Sequence, residues 1–489
     1  TMIKKFLGVF FFYFAISSCN LDINEKPNII VFIADDVSWD DIGVYGNDQV
    51  VTPNIDNLAK NGLIFNNAYL TTSSCSPSRN SILTGRYPHN TGAAELHTEP
   101  PLDMTSFPEI LKDKGYYTLQ AGKFHMGEYA KRGFHEVHDN KQINGLGGED
   151  YWVEGLKKRP KSKPFFMWYA SYDAHRIWGE NEFSGTHNPD KIVVPDYLVN
   201  GSLTRLDLAN YYDEITRFDH YIGEVVNELK AQGEYENTYI IVMADNGRPF
   251  PHSKTRLNDQ GVKTPFIVHH PRSIKSHKKS NSLISAVDIA STILDIAGII
   301  PSETFQGNSF LNIINNPELK FRNYVFAEHN WHDYESYQRM VRNEKYLYIK
   351  NSRPQFPQEG PLDAINSPTY IDLKDAEKNK TISKVQAEIF IKPRPNEELY
   401  DLSNDPFQYI NLLEEGDIPQ DYEVLKKILN QWINDTGDTF PEKLTKDWYL
   451  REQEKFNESS LLKTQFHGVR GEMPGSSTLA TKNNNKGPF

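Results

Sequence analysis

Cysteine is almost missing from these 489 residues: there are two, at positions 19 and 75. Two cysteines cannot build a disulfide scaffold. Positive charge is also in deficit. The chain has 53 Lys and Arg against 65 Asp and Glu, a net charge of −12. That balance excludes bulk electrostatic binding of nucleic acid or another polyanion, so an anionic ligand would need a few placed cations. Long apolar runs are lacking too, which excludes a polytopic membrane protein. With 30 Gly and 28 Pro, neither in a repeat, collagen and low-complexity disorder are excluded. What is present, 38% hydrophobic and 24% charged residues, fits a globular chain with one large core and a smaller domain.

Residues 1–19 read as an address. Lys4-Lys5 precedes the apolar stretch Phe6–Ile16, and Ser17-Ser18-Cys19 closes it. A cationic start, a short apolar run and a small-residue exit make a secretory signal, and eleven residues are too few to span a bilayer. Ile16-Ser17-Ser18-Cys19 resembles the bacterial lipobox, in which the cysteine is lipidated and becomes the mature N-terminus. The alternative is a plain signal peptide with an incidental cysteine. The expected product is an exported lipoprotein, at the cell surface or in the periplasm. Its membrane tether is residues 20–26, and loss of Lys4 and Lys5 takes its charge from −12 to −14.

Four apolar runs share one pattern. Asn28–Ala34 ends in Asp35-Asp36, and Tyr116–Ala121 ends in Gly122-Lys123-Phe124-His125. Pro164–Ala170 leads to Asp173-Ala174-His175, and Thr238–Ala244 ends in Asp245-Asn246-Gly247. Continuous rather than alternating hydrophobicity predicts strands covered on both faces, as in a parallel sheet between helices. The carboxyl ends of such strands form the ligand crevice, so the polar residues after each run are candidates for one shared site. Leu208, Tyr211, Ile215, Phe218, Ile222, Val225 and Leu229 alternate spacings of three and four, predicting an amphipathic helix of about six turns. Ser285–Ala297 predicts a second.

The expected organisation is an α/β domain over 27–320 and a small α+β domain over 321–462. Short strands at Tyr324–Glu328, Tyr337–Val341, Lys345–Lys350 and around Glu398 would form an antiparallel sheet, packed by a helix from Tyr422 to Asn434. Residues 463–489, rich in Gly, Ser, Asn and Lys, read as a poorly ordered tail. Gly145-Leu-Gly-Gly does not complete a dinucleotide fingerprint.

The most informative stretch is Cys75-Ser-Pro77-Ser-Arg79-Asn-Ser-Ile-Leu83-Thr84-Gly85-Arg86. A lone cysteine is by default a buried structural thiol. Here a helix starting at Pro77 would bring its N-terminus and the Arg79 guanidinium to Cys75, favouring negative charge there. The string resembles the sulfatase signature, Cys-x-Pro-x-Arg followed by Leu-Thr-Gly. Gly122-Lys123-Phe-His125-Met-Gly127 is similar to that family's Gly-Lys-x-His-x-Gly. The Leu399-Tyr-Asp-Leu…Asp405-Pro…Asn411-Leu tract is similar to its C-terminal strand and turn, so the resemblance runs from about Pro27 to Asn434. Asp245-Asn-Gly-Arg-Pro-Phe-Pro251 resembles the heparan N-sulfatase (sulfamidase) branch more than the arylsulfatase pattern.

The resemblance implies an alkaline-phosphatase-like α/β sandwich. It implies that Cys75 is converted to formylglycine by a maturation enzyme and acts as nucleophile on a sulfated carbohydrate. Asp35, Asp36, Asp245 and Asn246 would hold Ca²⁺ or Mg²⁺, and these are hard oxygen ligands suited to such a cation. Arg79, Lys123 and Lys254 would hold the sulfate. His125 would assist the hydrated aldehyde and His175 would protonate the leaving oxygen, although Ala174-His175-Arg176-Ile177 departs from the usual Pro-His-x-Pro. His97, Arg176 and His329 are candidates for substrate contact, the last within Glu328-His329-Asn330-Trp331-His332; a packed domain interface is the alternative for that run. Competing readings are a sulfamidase, a phosphate ester hydrolase of the same fold and a non-catalytic glycan-binding lipoprotein.

Overall fold

The structure is a computed structural model, and it describes residues 26–274, 277–416, 418–440, 449–450, 455–456 and 480–489. The signal and lipobox, and all of the tether but Lys26, lie outside these residues. No helix among the described residues is long and apolar enough to cross a membrane.

The four apolar runs are strands. In chain order the strands are β1 (Asn28–Ala34), β2 (Leu63–Phe65), β3 (Ala68–Tyr69), β4 (Tyr117–Gly122), β5 (Glu136–His138), β6 (Phe165–Ala170), β7 (Thr238–Ala244), β8 (Phe266–His269), β9 (Lys278–Ser280) and β10 (Ile284–Ser285). Eight of them form one sheet, in the order β5-β4-β6-β1-β7-β8-β2-β9. From β5 to β7 every pairing is parallel, and only β8 runs against its neighbours. Every residue of β1, β4, β6 and β7 is buried, because one helical layer covers each face. The period-two side chains divide accordingly: Ile29, Val31 and Ile33 enter one core, Ile30 and Phe32 the other.

The second core is closed by the helix Ser202–Ala231, whose predicted stripe is buried throughout. It is longer than the stripe, about eight turns at 3.6 residues each. The first core is closed by Cys75–Thr84, Phe107–Asp113 and Val287–Ile296.

The C-terminal part contains β11 (Val325–His332), β12 (Tyr334–Arg342), β13 (Tyr346–Asn351) and β14 (Glu397–Asp401), in that order in one antiparallel sheet. Asp421–Thr436 is the packed helix, with Leu425, Leu429 and Trp432 buried against the sheet. Between β13 and β14 the chain leaves this sheet, and the helix Pro368–Lys378 docks on the start of Ser202–Ala231. There the Asp372 carboxylate accepts hydrogen bonds from the Thr204 amide and hydroxyl. Residues 480–489 differ from the expected loose tail. Arg86, buried in the first layer, donates to the carbonyls of Thr481 and Asn483 and to the Asn484 side chain.

Candidate active site

All four parallel strand ends open on the same edge of the sheet, and β1 lies between β6 and β7. Asp35 and Asp36 therefore stand beside Asp245 and Asn246, with Lys123 and His175 arriving from the next two strands. Asp36 takes a positive φ of 59°, which turns its side chain back over the sheet edge. Its amide donates to Asp245 Oδ1 at 3.2 Å and Asn246 Nδ2 donates to its Oδ1 at 2.6 Å. Gly122, at φ +90°, lets β4 turn toward the same point; a Cβ there would lie 1.9 Å from the Ala170 carbonyl.

Cys75 is the first residue of the helix Cys75–Thr84, which begins two residues earlier than the proline suggested and ends on Gly85 in the left-handed region. Placed so, its Sγ lies 3.8 Å from Asp36 Oδ1, under Leu96 and Trp331. Burial pushes the Cys75 thiol well up, against the pull of Lys123 and Lys254. The two lysines favour negative charge at this position, as the sequence reading expected of its surroundings, but burial is the larger effect on the thiol itself. An unmodified thiol here would be a poor nucleophile.

The cations are arranged around the carboxylates. Arg79 Nε donates to Asp245 Oδ2 at 2.8 Å and its Nη1 to the Lys123 carbonyl at 3.1 Å. Lys123 Nζ pairs with Asp35 Oδ2, and Lys254 Nζ with Asp36 Oδ2 at 2.7 Å. Burial is the largest effect and opposes the charge on both lysines, but the surrounding anionic groups, Asp35 foremost at Lys123 and Asp36 with Asp363 at Lys254, together raise both pKa values. Among the four oxygen ligands and Arg79, the buried Asp35 Oδ1, Asn246 Oδ1 and Arg79 Nη2 have no hydrogen-bond partner, the first and last facing each other as an ion pair at 3.7 Å. Two orphaned oxygens among four hard ligands fit a divalent cation, and the orphaned guanidinium nitrogen fits an anion. Asp35, Asp36 and Cys75 also converge closely enough to share one ion.

His175 Nδ1 bonds the Arg176 carbonyl, so only Nε2 faces the site, 3.9 Å from Asp36 Oδ2. His125 Nε2 and His97 Nδ1 lie 2.8 Å apart at the rim. Burial first, then Lys123 and His97, push the His125 pKa well down, so its ring is neutral at ordinary pH. His97 is exposed there, as a substrate contact requires.

Two predicted contacts are corrected. The Arg176 guanidinium turns away from the site, donating to both Asp207 oxygens at 2.7 Å and stacking on Trp178. His329 is buried inside the C-terminal part, where burial and three arginines push its pKa down to about 3. From the same run it is His332 that reaches the site, with Nδ1 2.8 Å from Ser74 Oγ. Sequence reasoning missed Asp363 altogether. It sits on the short helix Leu362–Ile365, and its Oδ2 lies 2.8 Å from Lys254 Nζ and 3.8 Å from His175 Nε2. No motif surrounds it; only the docking of the C-terminal part carries it there.

Comparison with known proteins adds independent evidence. The sulfatase family profile matches residues 27–299, and a second, described as "N-sulphoglucosamine sulphohydrolase, C-terminal", matches 252–389. An ulvan-active sulfatase of Formosa agariphila is 30% identical over 459 residues, covering 86% of this chain and 76% of its own. Human N-sulphoglucosamine sulphohydrolase is 29% identical, covering 84% of this chain and 90% of its own. Among solved structures, a protein in complex with D-glucosamine-2-N,6-O-disulfate superposes with a TM-score of 0.65 at 20% identity, covering 84% of this chain and 98% of its own. At that identity the last match speaks for the fold alone.

Proposed function

This chain belongs to the sulfatase family and is a sulfuric ester hydrolase acting on sulfated glycans, and from that premise we propose a formylglycine- and cation-dependent mechanism at the Cys75 centre. The observation that carries it is the delivery of Cys75, by a helix far from β1 in sequence, to 3.8 Å from Asp36 Oδ1 within the predicted ligand set. Formylglycine at position 75 would supply, as its hydrate, the attacking hydroxyl. Ca²⁺ or Mg²⁺ held by Asp35, Asp36, Asp245 and Asn246 would lower that hydroxyl's pKa and polarise the sulfate.

The protein's own groups do the rest. Arg79 Nη2, which has an ion pair with Asp35 at 3.7 Å but no hydrogen-bond partner, is suited to donate to one sulfate oxygen, and Lys123 and Lys254 bring two further positive charges to the anion. A preorganised donor of this kind contributes about 3–4 kcal/mol to transition-state stabilisation. His125, held neutral, would be suited to take a proton from a hydroxyl at position 75. His175 Nε2, 3.9 Å from Asp36 Oδ2 on a partly exposed side chain, would serve as acid to the departing sugar oxygen.

The substrate proposed is a sulfated polysaccharide or its fragments, supported by the ulvan-active relative. A sulfamidase acting on glucosamine N-sulfate is the second reading, favoured by the profile match over 252–389 and the Asp245–Pro251 tract. Release of sulfate from ulvan, carrageenan, fucan, chondroitin and heparin-type fragments distinguishes them. The Cys75 peptide should be about 18 Da lighter than its sequence requires, whereas thiol oxidation would add mass. Turnover with no such loss would overturn the mechanism, and hydrolysis of phosphate esters alone would overturn the substrate class. Chelation should abolish turnover without unfolding the protein, and Ca²⁺ or Mg²⁺ should restore it.

A lipid on Cys19 would hold the enzyme at the cell envelope, supported by Lys4-Lys5, the Phe6–Ile16 run and Ile16–Cys19. Incorporation of labelled palmitate that disappears in Cys19→Ala tests the anchor.

A further inference from the structure

Asp363 does not belong to the sulfate-holding set, yet it stands at its edge. Lys254 binds its Oδ2 at 2.8 Å, which ties the carboxylate down on one side. Its Oδ1 is buried and has no hydrogen-bond partner. His175 Nε2, the group facing the departing oxygen, is 3.8 Å from Oδ2. Burial disfavours a charge on Asp363, but Lys254, His175 and His332 outweigh it and hold the carboxyl well below the ordinary carboxylate range. The residue is therefore an anion with one oxygen fixed and the other without a hydrogen-bond partner, beside the histidine proposed as the leaving-group acid.

Resting on the function proposed above, we propose that Asp363 is a specificity-determining residue, whose Oδ1 accepts a hydrogen bond from a hydroxyl on the ring carbon next to the scissile sulfate and rejects substrates with an anion there. The geometry supplies the reason. A leaving oxygen in reach of His175 Nε2 places the substituent of the adjacent carbon close to Asp363, because the two side chains lie 3.8 Å apart. An ionised carboxylate only accepts hydrogen bonds, so it is matched by a donor and opposed by a second sulfate or a uronate. Leaving Oδ1 unpaired in a closed site would be unfavourable, so a sugar lacking that hydroxyl also binds less well. The ion pair gives Asp363 a second, positioning effect: it holds Lys254 between itself and Asp36. Selectivity for neighbouring groups is thus contributed by the C-terminal part, whereas sulfate capture is contributed by the sheet edge.

The test measures binding as well as turnover. Three synthetic monosaccharides would be used: one with a free hydroxyl beside the sulfate, one with that hydroxyl itself sulfated, and one with hydrogen in its place. Calorimetric titration of cation-loaded Cys75→Ala protein, which cannot turn over, should give a Kd for the hydroxyl sugar about 10–100-fold lower than for the other two. Adding Asp363→Asn should keep the preference for hydroxyl over hydrogen, since the amide oxygen still accepts, but abolish rejection of the disulfated sugar. Adding Asp363→Ala should remove both preferences. In the matured enzyme with Cys75 intact, Asp363→Asn should change KM for the disulfated sugar more than kcat for the hydroxyl sugar. Equal binding of the three sugars to the Asp363-bearing protein would overturn the proposal, whatever the variants do; so would a disulfate penalty unchanged by Asp363→Asn. Selective binding without sulfate release from any sugar by the matured enzyme would leave this inference standing and overturn the proposed function instead.

Discussion

Single side chains in this protein have roles that depend on which neighbour they meet. Arg79, buried, and Arg176, partly buried, are both bonded to aspartates, but Arg79 keeps Nη2 without a hydrogen-bond partner in the site while Arg176 gives both terminal nitrogens to Asp207. Cys75→Ala should lower kcat by at least about 10⁴-fold with the fold intact, as removal of a nucleophile does; sulfate release with matched circular dichroism checks this. Arg176→Ala should act the other way. It leaves the Asp207 carboxylate buried and less well paired, costing about 3–5 kcal/mol of stability in a denaturant titration, while KM of the protein that folds changes little. Arg79 was legible from its motif. The burial of His329 was not, because a histidine in an apolar strand reads the same whether its face meets a pocket or a core.

Elements were legible where one physical rule fixed them. β1, β4, β6 and β7 are continuous apolar runs because both faces are covered, and their ends agree with the sequence reading to within a residue. The helix Ser202–Ala231 was read short because its first turns carry polar contacts instead of a stripe: Thr204 meets Asp372, and Asp207 meets Arg176 and Thr369. Further along it, Asp219 accepts from the Asn54 and Ile55 amides and so caps the helix Pro53–Lys60. Burial raises the Asp219 pKa from its ordinary 3.8 to about 6. The folded state thus binds that proton more tightly than the unfolded chain, and the contribution of Asp219 to stability falls as pH rises from about 4 to 6. The stability difference between wild type and Asp219→Asn should decline over that window and level off above it, as read by urea midpoints at successive pH values. Gly122→Ala should destabilise by more than about 2 kcal/mol, since it adds a Cβ against the Ala170 carbonyl at a positive φ.

Across the whole molecule, the C-terminal part does more than cover the sheet. Its segment between β13 and β14 brings Asp363 to Lys254, and β11 brings His332 to Ser74. Residues 480–489 return to the first layer, where Arg86 and Gln306 bond their backbone carbonyls. Deleting 480–489 should leave the buried Arg86 charge short of acceptors and lower stability by about 3 kcal/mol or more in a denaturant midpoint, without removing any proposed catalytic group. The sequence by itself determined the parallel sheet and singled out the residues proposed as nucleophile, cation ligands and sulfate-binding cations, because each is written locally as an apolar run with its chemistry at the end or as a spaced motif. For each of the two cysteines that exclude a disulfide scaffold, the flanking residues support a separate proposed covalent fate. Only the tertiary structure decided that Asp363 and His332 join the site, that Arg176 and His329 do not, and that the last ten residues are docked. Those outcomes depend on which surfaces of two distant segments meet, and such meetings leave no period or spacing in the chain.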